Sequence, residues 1–159
     1  MPKKFRIVGV GGTFDEFHKG HRALLMKAFD VGEHVMIGIS SDQFAKKMVK
    51  PHRTASYAQR LRELKGFLDE HGLLQRAEIF PIDDPYGGVL LSNGPIEVLI
   101  VSRETEPAAM EINKKRKENG LAALETIVID MIPSENHAPI STTRIRRGEI
   151  DREGHMLKC

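Results

Sequence analysis

Short apolar runs alternate with longer amphipathic segments along most of this chain. Each run ends at glycines, prolines or polar residues, a pattern that predicts buried strands entering turns. The predicted strands are Phe5–Val10, Val35–Ile39, Ala77–Ile82, Val98–Val101 and Ile127–Ile129.

The segments between these strands carry apolar residues at helical spacing. In the first of them Leu24, Leu25, Ala28 and Phe29 fall on one face. The predicted helices are Ala23–Val31, Ser56–His71, Pro107–Asn119 and a short terminal Ser141–Arg147, and the lysine-rich Asp42–Pro51 is a loop or a short helix. Glycines at 32, 72 and 120 follow the first three helices, where glycine is a good helix stop.

This alternation predicts an α/β fold, a Rossmann-like five-stranded parallel sheet with helices on both faces. The length of 159 residues suits one core, and no linker or repeat separates two halves. We therefore expect a single domain over 1–159, with its core at about 5–151. In such sheets ligands bind beyond the carboxyl ends of the strands, at the point where the chain switches direction.

Composition and charge limit the kinds of partner. Apolar residues make up 40% of the chain and charged residues 29%, which is typical of a globular protein. A net charge of +2 does not predict nucleic-acid binding, although a few lysines in one cleft suffice for a small anion. The single cysteine, Cys159, permits no internal disulfide, and no signal peptide or membrane-length segment occurs. Localisation in the cytoplasm is the expectation.

Candidate chemistry follows the first predicted strand, in the segment Gly11–His21. Its glycines allow a sharp turn and a close approach to a ligand. Thr13 offers a hydroxyl and an amide, and His18 and His21 lie three residues apart at the opening of a helix. Free amides and the positive end of a helix favour a phosphate there. The segment therefore predicts a phosphate-handling loop.

Three other interpretations of this loop are a metal pair, an ordinary helix start and a plain glycine turn. A metal pair needs third and fourth ligands, which the neighbouring sequence does not supply. The loop has neither the Gly-x-Gly-x-x-Gly spacing of a dinucleotide site nor the Gly-Lys-Ser/Thr ending of a P-loop. A glycine turn combined with a threonine and two histidines, directly after a first strand, favours phosphate binding.

The same residues resemble the signature of the HxGH nucleotidyltransferase superfamily. The first motif of that superfamily is matched by Gly12-Thr13-Phe14-Asp15 followed by His18-x-Gly20-His21. Its second motif, Ile-Ser-Ser/Thr-Thr-x-Ile-Arg, belongs near the C-terminus and is matched by Ile140-Ser141-Thr142-Thr143-Arg144-Ile145-Arg146. Two matches in the expected order imply the nucleotidyltransferase fold and a nucleotidyl-transfer activity.

The middle of the chain resembles the archaeal and eukaryotic phosphopantetheine adenylyltransferases. The matching segments are Asp84–Gly87, Val101–Thr105 and Ile112–Leu121. This resemblance implies transfer of AMP from ATP to 4′-phosphopantetheine, giving dephospho-coenzyme A and pyrophosphate. Three alternatives share the phosphate motifs: a glycerol-3-phosphate cytidylyltransferase, an FMN adenylyltransferase and a non-catalytic nucleotide-binding sensor.

Motif position in the family implies the catalytic roles. His21 would contact the α-phosphate in the transition state, His18 would accompany it, and Thr13 would hold or orient the acceptor phosphate. A lysine after the second strand neutralises that phosphate in the family. Lys46, Lys47 and Lys50 all compete for this role, and Lys46 is favoured.

The implied ATP site draws on both motifs and on the segment after the fourth strand. Its residues are Gly12, Thr13, Phe14, His18, His21, Ser102, Arg103, Asn113, Ile140, Ser141, Thr142, Thr143 and Arg146. The hydroxyls of the second motif, at a predicted helix start, and its arginine would hold the β- and γ-phosphates. Mg²⁺ would enter with ATP, bound mainly by phosphates and water, so no protein metal site is expected. The expected partners are ATP and 4′-phosphopantetheine, with no nucleic acid and no membrane.

Overall fold

The protein is described by a computed structural model that covers residues 5–14, 17, 19–47, 55–83, 95–103 and 105–129. This part of the chain forms five strands, which are β1 Phe5–Gly12, β2 Gly32–Ser40, β3 Ala77–Ile82, β4 Val98–Ser102 and β5 Glu125–Ile129. They build one sheet in the order β3-β2-β1-β4-β5, and every neighbouring pair is parallel. The predicted five-stranded parallel sheet is confirmed.

The described residues also form four α-helices and one 3-10 turn. The helices are α1 Lys19–Val31, α2 Asp42–Lys47, α3 Tyr57–Glu70 and α4 Glu106–Glu118, and the 3-10 turn is Leu74–Arg76. The predicted helix 141–147 lies outside the described residues. None of the helices in this part of the chain has the length and apolar character needed to cross a membrane.

Helix α1 begins at Lys19, earlier than the predicted start at Ala23. Its first turn is polar and contains a glycine, so apolar periodicity gave no signal there. The earlier start places His21 inside the first turn of the helix.

The helices cover both faces of the sheet, as predicted. On one face, α1 and α3 pack on strand residues that include Val8, Val35 and Ile37. On the other face, α4 packs through Ala109 and Ile112 on the alternate strand residues, which are Ile7, Met36, Leu99, Val101 and Val128. The split follows from the two-residue period of a strand, which turns successive side chains to opposite faces.

Candidate active site

The candidate site lies at the carboxyl edge of the sheet, beside the central strand β1. Pairing of β1 with β2 continues up to Gly12, opposite Ile39, whereas pairing with β4 ends at Gly9, opposite Leu99. The chain also switches direction here, because β2 and β3 lie on one side of β1 and β4 and β5 on the other. Such a switch point opens the crevice in which α/β sheets bind their ligands.

The loop after β1 turns sharply at Phe14. This residue has a φ of 55°, in the left-handed region that a non-glycine residue enters at a cost. Its ring is buried in the core shared by α1 and α3, which anchors the turn. Phe14 is therefore an anchor of the loop, and its predicted contact with ATP stays a prediction.

His21, in the first turn of α1, lies beside two aromatic rings. The centroid of its imidazole is 5.3 Å from that of Phe14 and 5.8 Å from that of Phe17. Phe17 is itself buried and lies 5.3 Å from the ring of Phe67 on α3. These contacts orient the imidazole at the helix end where backbone amides and the helix dipole attract a phosphate. Contacts with Phe14 and Phe17 thus hold in place the histidine that is predicted to contact the α-phosphate.

Thr13 lies at the ends of two adjacent strands. Its hydroxyl donates to the hydroxyl of Ser40, the last residue of β2, at 3.4 Å. That distance is long for a bond between hydroxyls, so the interaction is weak. Ser40 is almost fully buried, and the sequence did not single it out.

Arg60 on α3 connects this loop to its surroundings. Its side chain is fully buried and donates from Nε to the carbonyl of Ala55 at 2.8 Å. One terminal nitrogen donates to the carbonyls of Thr13 at 3.0 Å and Ser40 at 2.7 Å. The other donates to Oδ1 of Asp42 at 3.2 Å, forming an ion pair. We call this set of contacts the Arg60 network.

Sequence reasoning missed Arg60, although a signal was present. The helical period that aligns Leu64, Phe67 and Leu68 also places position 60 on the apolar face of α3. A charged residue on such a face is rarely buried unless it is paired. Its partners could not be found, because three of them are main-chain oxygens that only the folded chain brings together.

Asp42 joins the start of α2 to the start of α3. Its Oδ1 accepts a bond from the amide of Tyr57 at 2.7 Å in addition to the bond from Arg60. Burial raises the pKa of Tyr57, and the positive charge of Arg60 opposes that shift. The Arg60 guanidinium lies 5.9 Å from the centroid of the Tyr57 ring. The two bonds that Asp42 accepts fix the start of α2 against the start of α3.

The candidate lysines follow β2, as predicted. Lys46 is on α2 and its side chain is exposed. The backbone of Lys47 belongs to the same helix, whereas its side chain and all of Lys50 lie outside the described residues. Lys46 therefore follows the ion-paired start of α2, and its contact with the acceptor phosphate stays a prediction.

Ser102 is the last residue of β4 and Arg103 follows it, at the same edge of the sheet as Thr13. The Ser102 hydroxyl lies 3.2 Å from that of Thr105, and the amide of each residue donates to the hydroxyl of the other at 3.0 and 3.3 Å. These reciprocal bonds shape the turn into α4. Arg103 is exposed. Contacts of both residues with ATP stay predictions.

Asn113 lies away from this edge. Its side-chain amide donates to the carbonyl of Leu124 at 3.0 Å, and its oxygen accepts from the amide of the same residue at 2.7 Å. Leu124 immediately precedes β5, so it marks the amino edge of the sheet. This placement argues against the predicted contact of Asn113 with ATP, because the two bonds give its side chain a structural role. The contact of Asn113 with ATP stays a prediction, which these two bonds do not support.

Part of the predicted site falls outside the described residues. These residues are His18, Ile140, Ser141, Thr142, Thr143 and Arg146. Their predicted contacts with phosphates stay predictions. The described part contributes Gly12, Thr13 and His21 to one edge of the sheet, at which α2 with the candidate Lys46 also begins.

Several known proteins are similar to this chain in sequence. A model of the cytidylyltransferase-like family matches residues 10–148. The phosphopantetheine adenylyltransferase of Methanothermobacter thermautotrophicus is 46% identical over 158 residues, which is 99% of this chain and 93% of that protein. The one from Methanopyrus kandleri is 40% identical over 93% of this chain and 92% of its own length.

The fold is also similar to that of a solved structure. A protein of unknown function from Archaeoglobus fulgidus aligns with a TM-score of 0.69 and 32% identity, over 79% of this chain and 98% of its own. Sequence and fold similarity both extend over most of the chain, so neither rests on a short shared motif. The chain therefore belongs to the cytidylyltransferase-like family, in the group of archaeal phosphopantetheine adenylyltransferases.

Proposed function

We propose that this chain is an enzyme that transfers AMP from ATP to 4′-phosphopantetheine, releasing pyrophosphate and forming dephospho-coenzyme A. The observation that carries the proposal is near full-length identity of 46% to a phosphopantetheine adenylyltransferase. The arrangement of Thr13 and His21 at the carboxyl edge supports it, since both lie where α/β sheets bind phosphorylated ligands.

The chemistry needs little from the protein beyond positioning and charge. An oxygen of the acceptor phosphate attacks the α-phosphorus of ATP, and the bond from that phosphorus to the β-phosphate oxygen breaks. The attacking oxygen is already ionised near neutral pH, so no general base is required. The enzyme has to bring two anions together and stabilise the charge that develops on the α-phosphate.

His21 is the residue we assign to the α-phosphate. Its ring is fixed by Phe14 and Phe17 before any ligand arrives, so little reorganisation is needed in the transition state. The amides of the first turn of α1 add further donors at the same end of the helix.

Thr13 and Lys46 are assigned to the acceptor phosphate. Thr13 follows β1, and Lys46 is on the short helix that follows the neighbouring strand β2. Parallel neighbours end at the same edge, so their following segments flank one space. Lys46 would supply the positive charge that offsets the acceptor phosphate.

Mg²⁺ enters this proposal as part of the ATP substrate. Among the described residues, no three His, Cys, Asp or Glu side chains form a group that could hold a metal ion. Mg²⁺ would bind phosphate oxygens and water, the coordination that it commonly adopts with nucleotides.

An acceptor panel tests the function. Pyrophosphate release from Mg²⁺-ATP is measured with 4′-phosphopantetheine, glycerol 3-phosphate or FMN, and the glycerol 3-phosphate arm is repeated with CTP. We expect release only with ATP and 4′-phosphopantetheine. Pyrophosphate release with FMN, or with CTP and glycerol 3-phosphate, would identify that compound as the acceptor in place of 4′-phosphopantetheine. ATP binding without pyrophosphate release in any arm would indicate a nucleotide sensor.

A further inference from the structure

The Arg60 network joins segments that meet only at the candidate active site. Its acceptors belong to the loop after β1, the end of β2, the start of α2 and the residue before the N-cap of α3. A guanidinium presents its donors in a rigid plane, so four bonds at 2.7–3.2 Å fix the relative positions of these segments. The side chain has no exposed surface, so its donors have no alternative partner in solvent.

The bond to the Thr13 carbonyl also sets the direction of a backbone amide. Thr13 C=O and Phe14 N–H belong to one peptide plane, and the described chain contains no cis peptide bond. In a trans peptide the N–H points opposite to the C=O, so the Phe14 amide is turned away from Arg60. Phe14 then adopts its left-handed φ of 55°, which a non-glycine residue keeps only when its surroundings hold it.

Asp42 extends the Arg60 network to α2, the helix that carries Lys46. Its carboxylate is half exposed and compensates the buried charge of Arg60 while also accepting the amide of Tyr57. The start of α2 is thereby tied to the loop that carries Thr13. A shift of Arg60 would move both sides of the acceptor-phosphate site together.

We propose that Arg60 is a positioning residue for the transfer reaction. It contacts no reacting atom and acts by holding the Thr13–Phe14 peptide and the start of α2 in the geometry that the reaction needs. This inference rests on the proposed function, because the reaction it supports is the adenylyl transfer described above.

The chain offers a matched control in Arg76. Its guanidinium donates to the carbonyls of Phe29, Gly32 and Glu33 at 2.8–2.9 Å and lies 5.3 Å from the centroid of the Phe29 ring. Gly32 opens β2, so this second arginine binds main-chain oxygens at the amino edge of the sheet, away from the candidate site. Substitution of either arginine removes comparable hydrogen bonds to main-chain oxygens. Only substitution of Arg60 is expected to affect the candidate site.

The experiment compares Arg60→Gln, Arg60→Lys and Arg76→Gln with the wild type. Thermal unfolding, ATP affinity, kcat and KM for 4′-phosphopantetheine, and amide hydrogen exchange are measured below the unfolding transition of every variant. Arg60→Gln is expected to lower kcat by about 30-fold to 100-fold, as a small misplacement of reacting groups does. Exchange in peptides covering residues 11–14 should be at least about tenfold faster, reflecting a loosened loop.

The control and the conservative variant separate positioning from stability. Arg76→Gln should lower the unfolding temperature while kcat and exchange at residues 11–14 stay at the wild-type level. Arg60→Lys keeps a buried positive charge facing Asp42 but cannot reach four acceptors. It should still lower kcat by about tenfold, and it covers the case in which Arg60→Gln does not fold.

Wild-type kcat in Arg60→Lys, or an equal loss of kcat in Arg76→Gln, would overturn the positioning role. Unchanged exchange at residues 11–14 in both Arg60 variants would overturn it as well. Wild-type protein that releases no pyrophosphate with 4′-phosphopantetheine would instead reject the proposed function. Turnover with the acceptor found in the panel, together with the exchange data, would then decide the role of Arg60.

Discussion

The imidazole of His21 is placed at the positive end of α1 by two neighbouring aromatic rings. A donor fixed in this way is most useful when charge develops on the α-phosphate, and less so for binding of the ground state. Its removal should therefore affect the rate of reaction more than the affinity for ATP.

We expect His21→Ala to lower turnover by roughly 100-fold or more while ATP still binds. Steady-state kinetics and equilibrium ATP titration measure the two quantities. His71→Ala is the control, because this exposed histidine bonds the Phe67 carbonyl near the C-terminus of α3. Unchanged turnover in His21→Ala would remove that residue from the catalytic role.

For individual residues, the sequence indicated which side chains belong to a motif more reliably than it indicated which atoms those side chains contact. Thr13 and His21 could be found because a local motif places them after a strand. Arg60 could not be given partners, and Asn113 was expected at the nucleotide, although its amide binds Leu124 at the opposite edge. A side chain that bonds a main-chain atom of a distant segment requires no particular residue type there, so the sequence contains no pattern that reveals the contact.

At the scale of elements, the boundaries were predictable wherever local chemistry sets them. Helix α3 begins after Ser56, whose hydroxyl accepts the Gln59 amide, and it ends before Gly72, which has a φ of 67°. Helix α4 ends in the same way before Gly120, which has a φ of 78°, and the Leu121 amide bonds the Arg116 carbonyl at 2.7 Å. The glycine stops predicted for these two helices therefore match the structure.

Gly32 differs from those glycines. It follows the last residue of α1, as predicted for a helix stop, but it is also the first residue of β2, so no loop separates α1 from β2. A Cβ added there would lie 2.8 Å from both γ-carbons of Val8 and 3.2 Å from the carbonyl of Ala28. Val8 is fully buried and has a stiff side chain, so it cannot give way.

We expect Gly32→Ala to lower the free energy of unfolding by about 1–3 kcal/mol, the usual cost of overpacking. Gly66→Ala is the matched control, because an added Cβ at that exposed position of α3 meets nothing within 4 Å. The control should raise stability by about 0.5–1 kcal/mol through better helix propensity. Urea denaturation measures both, and a neutral Gly32→Ala would show that β2 can shift relative to β1.

At the scale of the whole molecule, two apolar clusters share one sheet. The larger cluster includes Leu64 of α3, and the smaller one includes Ile112 of α4. Alternating residues of β1, β2, β4 and β5 contribute to both clusters, so the two should unfold together. Alternation of strands and helices was enough to predict this architecture, whereas the strand order was left open because it depends on packing of distant segments.

We expect Leu64→Ala and Ile112→Ala each to lower the free energy of unfolding by about 2–5 kcal/mol. Met110→Ala, on the same helix as Ile112 but 67% exposed, should change it by less than about 0.5 kcal/mol. Denaturation followed by circular dichroism and by hydrogen exchange should give one coincident transition for every variant. Separate transitions in Ile112→Ala would contradict the predicted single domain.

The Arg60 network also affects how substitutions are tolerated. Three of its four acceptors are carbonyl oxygens, at positions 13, 40 and 55, and every amino acid carries such an oxygen. Side chains at those positions can vary without removing an acceptor, whereas position 60 admits only a side chain long enough and rich enough in donors to reach them all. The conformation of the loop after β1 thus depends on Arg60 of α3, a helix whose sequence carries no motif of the nucleotidyl-transfer reaction.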